Sequence, residues 1–140
     1  MAIPLLGQII EGVYAKLSGD STLTALLGTY SSATCIFDGY YVPSQAPRPY
    51  ISLRPIASVS ILETKQEEGL DVELNVEMFT DERESTIILE QIMDKVISGL
   101  HNQALTVDDT LILIKLIASV PVPTDENITG HRLTFRIVLF

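Results

Sequence analysis

Two histidines, one cysteine and a scattering of carboxylates are the residues with chemical potential in this sequence. His101 stands in Gly-Leu-His-Asn-Gln, just past an apolar-periodic segment, where an imidazole would meet the last carbonyls of a helix. His131 opens the final apolar segment beside Arg132. Catalysis or metal binding needs acids, bases or ligands that converge, and neither histidine has a partner at ligand spacing, so both are read as structural or surface residues. Cys35, within Thr-Cys-Ile-Phe, has no basic neighbour that would favour a thiolate and is read as a small core residue. As the single cysteine it also excludes intrachain disulfides and thiolate-rich metal sites. Asp71, Glu73 and Glu77 fall on one face of an alternating segment. Two of them could divide acid and base roles, but a solvated outer face is the simpler reading. The acidic runs Asp-Glu-Arg-Glu at 81–84 and Thr-Asp-Glu-Asn at 124–127 lack the alternating oxygen ligands and glycine bend of a calcium loop. Phosphate-cradling glycine loops, nucleophile elbows and zinc spacings are absent from the sequence. No catalytic, cofactor-binding or metal residue is predicted.

The totals point the same way. With 18 Asp and Glu against 9 Lys and Arg, the 140-residue chain carries a formal charge of −9, which disfavours a surface that tracks phosphates. Hydrophobic residues make up 46% and the mean hydropathy is +0.30, so some apolar surface is expected to meet neighbours. The most apolar stretch, 111–122, contains Lys115 and Pro121 and is far shorter than the ~20 residues of a spanning helix, so no membrane span is expected. The first residues carry no basic leader and reach Glu11 quickly, which predicts synthesis in the cytoplasm. Asn-Ile-Thr at 127–129 fits a glycosylation sequon that would have no consequence there.

These residues must be positioned by an α+β domain spanning 1–140. Leu6, Ile9, Ile10, Val13 and Leu17 recur at helical steps and predict a first helix over 4–17. Asp20 or Ser21 can cap a short second helix over 22–27, which Gly28 can end in a left-handed conformation. A short strand over 34–37 precedes an extended, proline-stiffened loop, and strands follow over 50–53 and 56–62 with Pro55 marking a bend or an edge between them. The charged residues 63–69 read as a turn. Leu70, Val72, Leu74, Val76 and Met78 then alternate with polar residues, the cleanest period of two in the chain, which predicts one buried and one wet face. A third helix carries Ile88, Leu89, Ile92, Met93, Val96 and Leu100, and strands over 111–118 and 133–139 close the chain around a polar turn. The order suits a mixed or antiparallel sheet of about four to five strands with helices packed on one face.

Three segments taken together resemble a known family: Ser-Thr-Leu-Thr-Ala-Leu-Leu-Gly at 21–28, the proline-rich run into Pro-Tyr-Ile-Ser-Leu at 43–53, and the strand ending in Phe79-Thr80 ahead of a helix within 70–100. Their order is similar to that of the tail-completion, or tail-terminator, proteins of long-tailed phages and prophages. The resemblance implies a homohexameric ring at the head-proximal end of the tail tube, made in the host cytoplasm and carried in the virion at the head–tail junction. It implies the tube protein and a head connector as partners, and brings over no catalytic residue. On this reading Tyr40, Tyr41 and Arg48, held on the stiff loop, are expected at a subunit interface, and Asp71, Glu73 and Glu77 are candidates to line an acidic lumen that repels the passing genome.

Three other classes compete. One is another head–tail connector or adaptor subunit. A small enzyme or ligand-binding domain would assemble a site from His131, Glu126, Tyr40 or Tyr41 in a concave pocket. A regulatory subunit mimicking nucleic acid would need its carboxylates gathered on one surface, whereas here they are spread over several loops.

Overall fold

The computed structural model describes residues 6–38, 42–43, 46–62, 67–81, 86–107, 110–124 and 128–139. Helix α1 (Leu6–Ser18) is followed by a single turn, α2 (Ser21–Thr24). Asp20 caps α2, its carboxylate accepting from the N–H groups of Thr22 and Leu23 and from the Thr22 hydroxyl. Those bonds favour the charged form and hold its pKa below the ordinary carboxylate value.

Strands β1 (Thr29–Tyr30) and β2 (Ala33–Thr34) form a small ribbon whose two turn residues, Ser31 and Ser32, both have positive φ. That is the twist a two-residue hairpin requires. Gly28, expected to be left-handed, is not. It is small for a different reason: a Cβ there would lie 3.0 Å from the Pro47 ring.

The main sheet contains β3 (Ile36–Asp38), β4 (Tyr50–Leu62), β5 (Glu67–Asp81), β6 (Gln103–Val107), β7 (Thr110–Val122) and β8 (Ile128–Leu139), in the spatial order β3-β4-β5-β8-β7-β6. β3 runs parallel to β4 and every other pair is antiparallel, so the sheet is mixed. It has six strands where four to five are expected. Much of the excess is β6, a segment without clear alternation that is recruited by pairing Gln103 to Val107 against Ile114 to Thr110. The two strands expected on either side of Pro55 are one continuous strand. Pro55 is opposite Leu74 of β5, beyond the stretch of β4 that β3 covers, so its missing N–H interrupts no ladder on that outer side. Glu67 to Gly69, expected in a turn, extend β5, while residues 63–66 lie outside the described residues. β8 likewise begins at Ile128, five residues before the expected start.

Helix α3 (Thr86–Leu100) ends at Asn102, whose φ of 59° places it in the left-handed region that asparagine tolerates. All three helices lie against one face of the sheet. Ile9, Ile10, Val13 and Leu17 of α1 and Leu89, Ile92, Val96 and Leu100 of α3 share a core with Ile51, Leu53, Leu74, Val76, Met78, Ile112, Ile114, Leu133, Phe135 and Ile137. Each fully buried aliphatic side chain there stabilises the fold by about 1.5–3 kcal/mol relative to exposure, which fixes the strand registers. No described helix is long and apolar enough to cross a membrane.

Candidate functional site

The opposite face of the sheet carries no described helix, and its side chains show what that face is built to do. On β5 the residues between the core positions are Glu73, Asn75, Glu77 and Phe79. Register places Arg132 of β8 directly opposite Glu77, and Thr134 opposite Asn75. The Thr134 hydroxyl donates to the side-chain amide oxygen Oδ1 of Asn75 at 2.8 Å. One Glu77 oxygen lies 2.8 Å from Arg132 Nη2 and accepts from its Nε at 2.9 Å, while the other lies 2.9 Å from Arg54 Nε.

Glu77 is only 2% exposed. The expectation of a wet face therefore fails at this residue: two guanidinium groups neutralise the carboxylate and cover it. A lone buried carboxylate would be strongly disfavoured, so the arginines are what allow Glu77 to occupy this position. Glu73 is half-buried and sits opposite Arg136, and the side chain of Asp71 lies outside those described. Glu77 thus adds no unmatched charge to this strand face.

At the lower end of this face the loop before β4 is tied down by backbone bonds. Gly28 N–H donates to the Pro49 carbonyl, Cys35 N–H to the Gly28 carbonyl and Ile51 N–H to the Cys35 carbonyl, each at 2.9 Å. This fixes Arg48, whose Nε donates to a carboxylate oxygen of Asp81 at the end of β5. The adjacent rings of Tyr30, Phe37, Tyr50 and Phe79 follow one another with centroids 6.4, 5.9 and 5.1 Å apart. Burial pushes the Tyr50 phenol up, so it stays protonated. Next to Phe79, Gly130 has no room for a side chain, because a Cβ would lie 2.8 Å from the ring. Tyr50, Phe79, Pro123, Thr124 and Ile128 line a shallow depression of about 410 Å³. Arg48 is thus half-buried in an ion pair beside an aromatic edge, while Tyr40 and Tyr41 lie outside the described residues.

The remaining sequence candidates are dispersed. His101 Nδ1 accepts the Leu116 N–H at 3.0 Å, and the Asn102 N–H donates to the Ile114 carbonyl. The ring meets a β7 donor just ahead of the start of β6, not the helix carbonyls expected. His131 lies 2.7 Å from the Ser119 hydroxyl through Nε2, and burial lowers its pKa. Cys35 is fully buried and burial raises its pKa, which favours the thiol. Glu126 lies outside the described residues. Among the described residues no three His, Cys, Asp or Glu side chains are placed to hold a metal ion.

Arg54, Arg132, Tyr50 and Phe79 were not singled out by the sequence as surface groups that work together. The alternation of Arg132, Thr134 and Arg136 places them on one strand face, but which carboxylate they meet depends on a register that only pairing sets.

The chain matches the model of tail completion protein gp17 over residues 11–139. It belongs to that family. Membership makes it a structural component of a phage tail. The fold is shared with a chain from the virion of a native gene transfer agent particle, at a TM-score of 0.78 and 18% identity, covering 99% of this chain and 98% of that one. A second solved chain, bearing no functional description, superposes at a TM-score of 0.68 and 10% identity over 97% and 96% of the two chains. No curated protein matches by sequence. The family to which the resemblance pointed is found, and the α+β class read from periodicity holds with six strands in the main sheet where four to five are expected.

Proposed function

We propose that this tail-completion protein is a tail terminator: a subunit of a homohexameric ring that seats on the head-proximal end of the tail tube, stops its growth and presents a docking surface to the head connector. It does so without catalysis, a cofactor or specific binding of nucleic acid. The observation that carries the proposal is the family match over residues 11–139. A sheet whose described helices cover one face only is consistent with it, since a subunit that touches a tube, a connector and its own copies needs more contact surface than an isolated domain. Arg48, with Tyr40 and Tyr41, remains the proposed intersubunit anchor, and Asp71 and Glu73 remain proposed lumen residues. Glu77 is withdrawn from that set because its charge is already matched.

Deletion of the gene tests the proposal, with tail lengths measured by electron microscopy. A tube of stacked rings is a heterologous assembly that grows until a ring with a different outer face occupies its end. Overlong tails beside full, unjoined heads are expected. Tails of normal length and free of heads would favour a connector or adaptor subunit over a terminator, and normal joined particles would exclude both.

A further inference from the structure

The two ends of the main sheet are open at the same height. β3 covers β4 only from Ile51 to Leu53, and beyond that point no described strand pairs with the outer side of β4, while β6 ends the sheet on the opposite flank. The Ile51 N–H donates outward to the Cys35 carbonyl, so alternation turns the backbone groups of Pro55, Ala57, Val59 and Ile61 to that same outer side. Pro55 has no N–H to offer, and the donors of Ala57, Val59 and Ile61 have no described strand to receive them. Ala57 lies in one row with Val72 of β5, Ile137 of β8, Ile114 of β7 and Gln103 of β6, and from that row β4 and β6 run in the same direction.

These two edges differ from a third in charge. From Ile56 to Leu62 β4 reads Ile-Ala-Ser-Val-Ser-Ile-Leu, without charge, glycine or proline, and β6 reads Gln-Ala-Leu-Thr-Val, equally uncharged. β5 has an open side too, because β8 pairs with it only from Val72 onward, but there it carries Glu67, Glu68 and Asp71. Charged side chains keep an edge from pairing with another chain, so the β5 edge is defended and those of β4 and β6 are not. Past the shared row β4 and β5 form a two-stranded ribbon, an arrangement that is marginal in water until a third strand joins it.

We infer that β4, from Ala57 to Ile61, pairs as a parallel strand with β6 of a neighbouring copy, Gln103 to Val107, so that the sheet continues from subunit to subunit. This rests on the ring reading above and names the backbone edges that would join its subunits. Copies related by rotation alone gain no height from one to the next, so edges that join must overlap along the strands, as these two do. They lie on opposite flanks of the subunit, which makes the contact heterologous and able to close. Main-chain hydrogen bonds supply the affinity. A second copy is the occupant that the fold itself supplies, since every subunit brings one undefended edge of each kind, of equal length and at one level. The helix-free face would run on from copy to copy, with Asp71 and Glu73 kept on it as lumen candidates.

Paired cysteines test this in tails purified from a lysate in which the full-length variant replaces the native chain. Ser60→Cys with Thr106→Cys, each three residues past the shared row, is treated with a short bismaleimide and is expected to give a ladder of covalent multimers longer than a dimer. Either single cysteine is expected to give none, the native Cys35 being buried. Dimers from Ser60→Cys alone would mean that two β4 edges pair symmetrically, and adducts of the double variant with a different tail protein would mean another occupant; both overturn the inference. Joined particles without a ladder would also refute it while leaving the terminator reading intact. As a second arm, Val59→Pro removes an outward donor and spares the β5 ladder, so the purified chain should keep its urea midpoint while the yield of joined particles falls about tenfold. Ser58→Pro, whose N–H turns toward β5, should weaken the fold itself. Undiminished joining by Val59→Pro would refute the pairing. If a variant fails to fold, hydrogen exchange of the native chain decides: the amides of 56–62 should exchange about tenfold more slowly in tails than in the dissociated chain, and equal rates would overturn the inference.

Discussion

On one side of β5, Leu74, Val76 and Met78 meet the helices; on the other, Asn75 and Glu77 meet groups on the neighbouring strands. The same strand serves two solvents. Its apolar side is held by a broad core that tolerates little change of shape, whereas its polar side is held by a few directional pairs, each dependent on one partner. Two stability mechanisms therefore operate a few ångströms apart, one diffuse and one local.

The largest difference between the faces should come from Phe135, a fully buried side chain of the core. Phe135→Ala is expected to lose about 3–5 kcal/mol in urea unfolding, from lost transfer energy and the cavity left behind. A loss below about 1 kcal/mol would mean that the helix layer is not tightly packed on the sheet.

On the polar face, Glu77→Ala leaves two guanidinium groups without their shared carboxylate. Both arginine side chains are 38% exposed and can recover hydration, so the expected loss is about 1–3 kcal/mol, below that of the core variant. Glu73→Ala, its half-buried neighbour, should stay within about 0.5 kcal/mol. Equal losses at the two glutamates would remove the distinction between a matched and a solvated carboxylate on this face.

The smallest effect is a pH dependence at the rim, where burial lowers the pKa of His131 from its ordinary 6.5. The unfolded chain then binds the proton more readily than the folded one, so stability is full above pH 6.5 and declines as the pH falls toward the folded pKa. His131→Gln should flatten the fall of the denaturation midpoint as the pH drops below 6.5, relative to the native chain. Identical slopes would show that the Ser119 contact and the burial are too weak to perturb the ring.

Much of the fold is legible from residue periodicity. Apolar steps of three and four in α1 and α3, and steps of two in β5 and β8, reflect how often a side chain returns to the same face, a local property of each backbone form. The cap at Asp20 is local in the same sense. β6 and the reach of β4 through Pro55 were not legible, since a strand with weak alternation exists only because a neighbour offers it a ladder.

The polar face shows the same division. By itself the sequence determined that Glu73 and Glu77 share a strand side and that Arg132 and Arg136 share another. Only the tertiary structure decided that Glu77 meets Arg132 and Arg54, which match its charge, while Lys115 stands beside Arg136. Alternation along a strand is a consequence of backbone geometry. The identity of the residue opposite is set by register, which depends on contacts across some sixty residues of chain that no local pattern encodes.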